Sequence, residues 1–366
     1  MKNHKTNITR RGFLAKTAAA TAVGGLLGIP KQIIFGQTKR AVESVSAVNL
    51  IRPKALRAGD AIGVITPATE VLDPDRLALV ERTVKYFGLQ MKRGKNVGRR
   101  FATYRESVQA RLDDLHEMFR NPEIKAVFAV RGGYGSGQLL DRIDYDLIRR
   151  NPKIFAGYSD ITAMHLAINK NSRLVTFHGP VILSRFTDYT QQNFRRALFQ
   201  TEPLGQLTNP KEANELRPTH VLRTVQKGVA NGRLVGGNLS LVCETVGTPY
   251  EIETRGKILF LEDTGEEAYR IDRMLTQLRL AGKLEQAAGI VWGECQDCGA
   301  GDFKPSTASP YTVGETVDNI LGALKIPVLS GLTIGHTNDQ LTLPLGVAAT
   351  LDATNGTLDV KESGVV

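Results

Sequence analysis

The sequence predicts an α/β protein in which a doubly wound N-terminal domain with a parallel sheet precedes a β-rich C-terminal α/β domain. The chain has 366 residues, which is long for a single domain. Up to about residue 180, apolar runs of strand length alternate with stretches of helical periodicity, as in a parallel sheet covered by helices. Beyond residue 228, short apolar runs are divided by Gly, Pro and Asn. The predicted domains span 48–183 and 228–366, with a polar connector at 184–227.

Strands and helices alternate through the predicted N-terminal domain. Beginning with a strand, the alternating elements are expected at 60–66, 74–87, 89–92, 105–119, 125–131, 139–148, 154–156, 161–168 and 174–177. The clear helical pattern of the C-terminal domain lies at 269–281. The working loops of a parallel sheet lie at the carboxyl ends of its strands. Two segments hold that position, a glycine-rich loop at 132–137 and a turn at 157–160.

The first 47 residues resemble an export signal. The sequence TRRGFL at 9–14 is similar to the twin-arginine motif, and an apolar stretch rich in Ala and Gly follows at 18–29. Residues 1–40 hold eight Lys or Arg and no acidic residue, so most of the net charge of +10 lies there. The rest of the chain is nearly neutral and does not suggest a nucleic-acid partner. These features predict a substrate of the twin-arginine export machinery that resides in the periplasm, tethered to the membrane if cleavage after Ala47 does not occur.

Two of the three cysteines, Cys295 and Cys298, form a Cys-x-x-Cys pair. Neither a second such pair nor a nearby histidine accompanies them, so the spacing does not indicate a zinc site. In an oxidising compartment, a local disulfide and two free thiols agree equally well with the sequence. Cys243 lies within an apolar run and is expected in the core.

The turn at 157–160 joins an apolar strand to a helix within about four residues. A chain that changes from strand to helix so quickly must bend sharply and push the residue at the bend, here Ser159, out of the sheet. A serine presented in this way is a candidate nucleophile. Alternatively, Ser159 or Asp160 caps the helix, which is a common role of both residue types.

Glycines punctuate the loop at 132–137, at positions 132, 133, 135 and 137. Their spacing does not fit the dinucleotide-binding pattern, because Gln138 takes the place of the last glycine, and no Lys-Ser/Thr pair follows as in a P-loop. A nicotinamide-dependent oxidoreductase is therefore not indicated. The loop is either a tight turn or an oxyanion hole, in which glycines let backbone N–H groups approach a developing negative charge.

A nucleophilic serine needs a general base, and the base needs an acid to orient it. Among the six histidines, His178 and His336 each stand beside a glycine at the end of an apolar run, where either a catalytic or a structural role fits. The candidate acids are Glu262 and Asp263, which follow the apolar run at 257–261. Spacing alone does not choose between the two histidines or between the two acids.

Longer motifs run in order along most of the chain after residue 55. They lie at 64–68, 129–148, 155–168, 176–181, 232–242, 258–278 and 331–346. Among them, RGGYGS and GYSD are the most specific, and LED and GH follow at the expected places. Together these motifs resemble the LD-carboxypeptidase family of serine peptidases, of the muramoyltetrapeptide carboxypeptidase type.

The resemblance implies a catalytic triad in which Ser159 of GYSD is the nucleophile, Glu262 of LED the acid and His336 of GH the base. It further implies that the backbone N–H groups of Asp160 and Gly133 form the oxyanion hole. The serine would lie on the N-terminal domain and the other two residues on the C-terminal domain, with the active site in the cleft between them. Members of the family are commonly homodimers, so a homodimer is expected.

The reaction implied by the resemblance is hydrolysis of an L,D-peptide bond, with release of the terminal D-Ala from a peptidoglycan (murein) tetrapeptide. Neither a metal nor an organic cofactor is expected. Tyr134 and Tyr158 are candidate substrate-binding residues. Arg131 is a candidate for binding the terminal carboxylate, although a structural ion pair is an equal alternative.

Two other functions compete with this interpretation. A related self-immunity branch of the family cleaves an acyl-adenylate-like toxin, but it would need an aromatic residue to stack on adenine, and Trp292 lies in a run expected in the core. The other competitor is a non-catalytic protein that binds wall peptides. The best-known family members are cytoplasmic, whereas the export signal of this chain predicts that it meets free muropeptides or the stem peptides of the wall.

Overall fold

The computed structural model describes residues 50–212, 214, 216–299 and 310–366. The predicted export signal at 1–47 lies outside these residues. Within them, no helix is both long enough and apolar enough to cross a bilayer.

Strands and helices alternate through the described chain. The strands are β1 (Ala61–Ile65), β2 (Gln90–Arg93), β3 (Ile124–Ala129), β4 (Ile154–Gly157), β5 (Thr176–His178), β6 (Gly205–Leu207), β7 (Arg223–Gln226), β8 (Val229–Asn238), β9 (Ile258–Thr264), β10 (Gly289–Gln296), β11 (Val328–Leu332), β12 (Leu343–Leu345), β13 (Ala348–Asp352) and β14 (Thr357–Val360). The α-helices are α1 (Pro74–Tyr86), α2 (Tyr104–Arg120), α3 (Tyr145–Arg150), α4 (Thr162–Ser172), α5 (Asp188–Phe199), α6 (Leu239–Glu244), α7 (Ala268–Leu280) and α8 (Val313–Leu321). Short 3-10 helices occupy Ser136–Arg142 and Ser159–Ile161.

The first sheet has six strands in the order β12-β5-β4-β3-β1-β2. Strands β1 to β5 are parallel, and β12 adds an antiparallel edge. The chain runs from β1 outward to β2 and then returns to the other side of β1 at β3, which creates a switch point between β1 and β3. Open parallel sheets bind ligands in the crevice at such a point. The glycine loop follows β3, and the serine turn follows the neighbouring strand β4.

The second sheet has eight strands in the order β6-β14-β13-β8-β9-β10-β11-β7. Its centre, β8 to β11, is parallel, and antiparallel strands extend it on both sides. Glu262 lies near the carboxyl end of β9, and His336 lies just beyond the carboxyl end of β11. The functional candidates of both sheets therefore lie at the carboxyl ends of parallel strands.

A continuous apolar core joins the two sheets. Phe128 of β3, Phe177 of β5 and Phe260 of β9 belong to one cluster of buried residues. All three rings are fully buried, so separating the sheets would expose large apolar surfaces to water. This shared core fixes the position of the serine on the first sheet relative to the acid and the histidine on the second.

The fold confirms the predicted α/β class, with differences in detail. The expected helix at 139–148 is a 3-10 helix followed by α3, because the Asp144 side chain accepts a hydrogen bond from the Leu147 N–H and starts a new helix. The expected connector at 184–227 contains α5, β6 and β7. Strand β12, which the sequence places in the C-terminal domain, instead extends the first sheet. The domain boundaries themselves stay a prediction.

The C-terminal part of the chain contains two helices, α6 and α8, that were not predicted from its short apolar runs. Asn238 begins α6 by accepting a hydrogen bond from the Leu241 N–H. Thr312 and Glu315 form a reciprocal capping box at the start of α8. Both caps are readable in the sequence, but runs of six to nine apolar-rich residues fit strands as well as helices.

Candidate active site

Ser159 lies in the tight turn between β4 and α4, where the sequence predicts a sharp bend. Its φ angle is +65°, in the left-handed region that residues other than glycine rarely adopt. The glycine loop passes directly over it, because a Cβ atom on Gly132 would lie 2.9 Å from the Ser159 Cβ and 3.2 Å from its Oγ. Neither the 3-10 helix at Ser159 nor α4 has a side-chain cap. The structure therefore supports the strained-turn interpretation of Ser159 and not the helix-cap alternative.

His336 joins Ser159 to Glu262. Its Nε2 atom lies 3.0 Å from the Ser159 Oγ, and its Nδ1 atom lies 2.8 Å from the Glu262 Oε2. A neutral imidazole with its proton on Nδ1 donates that proton to Glu262 and accepts the serine hydroxyl on Nε2. The three residues are thus arranged as a nucleophile, a base and an orienting acid.

Burial sets the electrostatics of the histidine and its acid. The Glu262 side chain is fully buried, and burial raises its pKa against the hydrogen bond from His336. Burial also acts to lower the pKa of His336, but the hydrogen bond and the negative charge of Glu262 outweigh it, so the pKa is raised above the usual value of histidine. Glu262 therefore stabilises a protonated imidazole at the position where a serine proton would be received.

Gly335 makes room for the contact between Glu262 and His336. A Cβ atom at this position would lie 2.0 Å from the Glu262 Oε2, and the φ angle of Gly335 is +88°. Both conditions exclude larger residues. The glycine before the histidine is therefore part of the site, a role that the sequence interpretation did not assign to it.

The structure separates the two candidate acids. Asp263 accepts hydrogen bonds from the side chains of Asn238 and Ser240 and from the Ser240 N–H. It therefore fastens the start of α6 to the end of β9, while its neighbour Glu262 faces His336. Adjacent residues of a strand point to opposite faces, which explains why only one of the pair reaches the histidine.

The structure also separates the two candidate bases. His178 is fully buried, with its ring 5.2 Å from that of Phe260 and 6.3 Å from that of Tyr158. Within the described residues, neither of its ring nitrogens has a hydrogen-bond partner. Burial lowers its pKa well below the usual value. His178 is therefore a neutral core residue, and His336 is the histidine that contacts Ser159.

The glycine loop is tied to the serine turn by a side chain whose role was not foreseen. The Asp160 carboxylate accepts hydrogen bonds from the N–H groups of Gly135, at 3.2 Å, and Ser136, at 2.7 Å. The N–H of Tyr134 donates to the Thr69 Oγ1 at 3.0 Å. Among the described residues, no hydrogen bond from the N–H of Gly133 is found, which leaves this predicted oxyanion donor available to a ligand. The other predicted donor, the N–H of Asp160, lies in the first turn of the 3-10 helix Ser159–Ile161, where N–H groups have no acceptor within the helix.

The three predicted substrate-binding residues lie around the triad in different settings. Tyr134, on the glycine loop, is 75% exposed. The ring of Tyr158 lies 4.8 Å from that of His336 in an edge-to-face arrangement, and burial raises the pKa of its phenol. Arg131 runs beside the glycine loop, with Nη2 3.6 Å from the position of a Cβ on Gly133. It forms no ion pair with any described residue, so the structural alternative for Arg131 is not observed.

His220 belongs to a second charged group that the sequence interpretation missed. Its Nδ1 lies 2.6 Å from the Glu294 Oε1 and its Nε2 lies 3.6 Å from the Asp339 Oδ2. Asp339 is three residues beyond His336, so this group ties the predicted connector to the loop that carries the histidine. The sequence offers no local signal for it, because its members are 45 to 119 residues apart along the chain.

The structure also shows the state of the cysteines and of possible metal ligands. Cys295 and Cys298 form a disulfide with an S–S distance of 2.04 Å, which resolves the alternative between a bridge and two thiols, and Cys243 is buried as expected. Among the described residues, no group of three or more His, Cys, Asp or Glu side chains is arranged to hold a metal ion. The expectation that catalysis requires no cofactor stays a prediction.

Comparison with known proteins places both halves of the site in one family. Two family models match, one described as the LD-carboxypeptidase N-terminal domain over residues 62–179 and one as its C-terminal domain over residues 231–351. The probable murein peptide carboxypeptidase of Bacillus subtilis (strain 168) is 41% identical over 314 residues, covering 86% of this chain and 95% of the relative.

Two further relatives show the breadth of the family. The microcin C7 self-immunity protein of Escherichia coli is 30% identical over 334 residues, covering 84% of this chain and 94% of the relative. The crystal structure of muramoyltetrapeptide carboxypeptidase from Oxalobacter formigenes superposes with a TM-score of 0.70 at 29% identity, covering 83% of this chain and 99% of that chain. The chain therefore belongs to the LD-carboxypeptidase family.

Proposed function

We propose that this protein is a serine L,D-carboxypeptidase that releases the terminal D-Ala from murein tetrapeptides. The observation that carries the proposal is the hydrogen-bonded line from Glu262 through His336 to Ser159, with distances of 2.8 Å and 3.0 Å. The substrate class is supported by the relatives of Bacillus subtilis and Oxalobacter formigenes, whose names specify murein peptide and muramoyltetrapeptide carboxypeptidases.

In the first half of the reaction, Ser159 becomes acylated. As its Oγ bonds to the carbonyl carbon of the L,D-peptide bond, its proton passes to the Nε2 of His336. Glu262 stabilises the imidazolium through Nδ1–H. The imidazolium then donates the proton to the nitrogen of the leaving D-Ala as the C–N bond breaks.

In the second half, water regenerates the enzyme. The neutral His336 takes a proton from water as the water oxygen attacks the ester carbonyl. The new tetrahedral intermediate collapses with release of the shortened peptide, and the proton returns to the Ser159 Oγ. In both halves the negative charge on the carbonyl oxygen would be received by the backbone N–H groups of Gly133 and Asp160.

The terminal carboxylate of the substrate requires a cation at the mouth of the site. Arg131 meets this requirement, because it runs beside the glycine loop and forms no ion pair with a described residue. A guanidinium presents two parallel N–H donors to a carboxylate. We assign Tyr134 to contact with the exposed part of the peptide and Tyr158 to the wall behind His336.

The self-immunity activity is the weaker alternative. The relative from Escherichia coli is less similar than the murein peptide carboxypeptidase of Bacillus subtilis, at 30% against 41% identity. Trp292 is the single tryptophan of the chain, and it is 4% exposed within β10, so it is not available to stack on a nucleobase.

We further propose that the protein acts outside the cytoplasm after twin-arginine export, on free muropeptides or wall stem peptides. The motif at 9–14 supports this location, and so does the Cys295–Cys298 disulfide, since disulfides persist mainly in oxidising compartments. Fractionation of cells that express the full chain tests it, and a purely cytoplasmic protein would contradict it. A homodimer remains a further prediction, for measurement by light scattering.

The central test is mass spectrometry of a muropeptide mixture treated with the wild-type protein or with Ser159→Ala. The wild type is expected to convert tetrapeptides to tripeptides, and the variant to lose turnover by about a million-fold, as for the loss of a serine nucleophile elsewhere. Ser107→Ala, in helix α2, is the matched control and should retain activity. Turnover by Ser159→Ala near the wild-type rate would contradict the mechanism, and binding without turnover by the wild type would indicate a non-catalytic wall-peptide protein.

A further inference from the structure

Arg111, in helix α2, is a buried cation that belongs to none of the motifs of the sequence. It is only 7% exposed. Its Nη1 donates to the carbonyl oxygens of Pro67, at 3.0 Å, and Gly135, at 2.8 Å. Its Nη2 donates to the Gln138 Oε1 at 2.7 Å. Its Nε donates to the Ser107 carbonyl oxygen of its own helix at 3.2 Å. A buried arginine is stable only when its donors are satisfied, and here the other acceptors lie in the loops that follow β1 and β3 and in the 3-10 helix Ser136–Arg142.

Arg111 and Asp160 hold the glycine loop from opposite sides. Arg111 binds the carbonyl oxygen of Gly135, while Asp160 binds the N–H of the same residue. Asp160 also binds the Ser136 N–H and is adjacent to Ser159 in the chain. The Asp160 carboxylate acts on Arg111 electrostatically, since its charge opposes the effect of burial, which lowers the pKa of the guanidinium. The peptide group between Gly135 and Ser136 is therefore held through its carbonyl by Arg111 and through its N–H by Asp160 of the serine turn.

These contacts hold residues 134–136 of the glycine loop, whereas the Gly133 N–H takes part in none of them. Tyr134, Gly135 and Ser136 are each held by a hydrogen bond. Within the described residues, no hydrogen bond from the N–H of Gly133 is found. Gly133 has a φ of +115° and Gly135 one of +110°, conformations that need external support because glycine has few restraints of its own. The supports at 134–136 thus define where the Gly133 N–H points.

Arg111 is also linked to Tyr134, the exposed tyrosine of the glycine loop, through the side chain of Gln138. Gln138 accepts from Arg111 with Oε1 and donates from Nε2 to the Tyr134 hydroxyl at 3.2 Å. Tyr134 is 75% exposed, and an exposed aromatic side chain keeps one orientation only if its polar end is held. Arg111 therefore influences both a backbone donor and a substrate-facing ring.

We propose that Arg111 is a positioning residue for catalysis, which holds the glycine loop so that the Gly133 N–H meets the oxyanion and Tyr134 meets the peptide. The inference rests on the proposed function, because an oxyanion forms only if Ser159 attacks a carbonyl. Arg111 itself touches neither the substrate nor the reacting atoms. Its effect is expected in kcat through the loop and in KM through Gln138.

The test compares Arg111→Met with Arg120→Met, which removes an exposed charge from the same helix. Arg111→Met should lower kcat for D-Ala release by about a hundredfold, the usual effect of a small misplacement in an active site. Arg120→Met should keep the wild-type kcat. Gln138→Leu should raise KM by about threefold, the size of one net hydrogen bond, with kcat retained.

Two additional readouts separate positioning from mere stability. The rate at which p-nitrophenyl acetate acylates Ser159, measured per folded molecule, should fall in Arg111→Met together with kcat. Affinity for a peptide boronic acid, which imitates the tetrahedral intermediate, should fall by the same factor, while affinity for the tripeptide product should fall by no more than the about threefold expected for Gln138→Leu. A lower melting temperature with unchanged acylation and boronate binding would overturn the proposal.

Arg111→Lys keeps the test decisive if Arg111→Met does not fold. A lysine keeps the charge but cannot reproduce the forked geometry, so a loss of about tenfold in kcat is expected, equal to one lost hydrogen bond of the stronger kind. A wild-type kcat in Arg111→Lys would contradict the proposal. If the wild type releases no D-Ala, the substrate assignment fails, but acylation by the activated ester still reports whether Arg111 positions the loop.

Discussion

Ser159 reaches the active site on a backbone with a φ of +65°, whereas neither Glu262 nor His336 has a positive φ. The serine side of the site is shaped by main-chain conformation. A strained turn presents the hydroxyl, and a glycine loop lies so close that a Cβ on Gly132 would be 2.9 Å from the Ser159 Cβ. The Asp160 carboxylate, which accepts hydrogen bonds from the loop, and Arg111, which donates one to it, then hold that loop.

The acid–base side depends on burial and charge instead. Glu262 is fully buried, and the His336 side chain is 16% exposed. Their 2.8 Å contact lies away from water, where a hydrogen bond between charged groups is strong. The serine side should therefore be sensitive to changes of backbone freedom, and the acid–base side to changes of charge and of the space around Glu262.

Among the changes that compare the two sides, removing the negative charge of Glu262 should have the largest effect. Glu262→Gln should lower kcat by about ten-thousandfold, because the amide no longer stabilises the imidazolium or selects the productive tautomer. The wild-type rate should rise with pH through the raised pKa of His336, since only the neutral imidazole accepts the serine proton. In Glu262→Gln the hydrogen bond to a carboxylate and the negative charge of Glu262, the two largest influences that raise this pKa, are lost, so the remaining activity should rise at lower pH. A pH profile of kcat/KM measures both changes.

Asp263→Asn is the comparison for this experiment, because Asp263 contacts Asn238 and Ser240 instead of His336. It should reduce activity less and shift the pH profile less than Glu262→Gln does. An equal loss in the two variants would show that the division between the neighbouring acids is wrong.

A smaller effect is expected from a substitution that fills the space beside the Glu262 carboxylate. In Gly335→Ala the new Cβ would lie 2.0 Å from the Glu262 Oε2, so the carboxylate must withdraw from the histidine. We expect kcat to fall by about a hundredfold and the free energy of unfolding by about 1–3 kcal/mol. Steady-state kinetics and urea denaturation measure these values.

Gly356→Ala is the matched control, since Gly356 also has a positive φ, +69°, but no atom lies within 4 Å of the position of its Cβ. It should lose stability and retain kcat. If both variants keep full activity, the space beside Glu262 is not required.

The smallest effect tests the backbone of the serine side. Ser159→Gly and Ser159→Ala both remove the nucleophile, but only glycine adopts a φ of +65° without a steric cost. The glycine variant should therefore be more stable than the alanine variant by about 1 kcal/mol. Urea denaturation of the two inactive proteins measures the difference.

Ser107 supplies the opposite case, because it lies within helix α2. There the glycine variant should be less stable than the alanine variant by about 1 kcal/mol. The same sign at both positions would mean that the serine turn carries no conformational strain.

Much of the serine side could be predicted from the sequence. The α/β class and the positions of the glycine loop and the serine turn follow from local patterns, because the residues of a strand–turn–helix unit are contiguous in the sequence. The choice of His336 over His178 and of Glu262 over Asp263 did not follow from spacing and needed the family motifs. The role of the Asp160 side chain, the Arg111 contacts and the His220 group were missed, since each joins residues from separate elements.

Local sequence patterns specify the candidate residues and the turns that present them, because periodicity, glycines and caps act over a few residues. Which of these residues come into contact depends on how the elements pack. His336 is 74 residues from Glu262 and 177 from Ser159 along the chain, and it reaches both because the shared core around Phe128 and Phe260 holds the two sheets together. Contacts of that range depend on the packing of whole elements, and no local pattern encodes them.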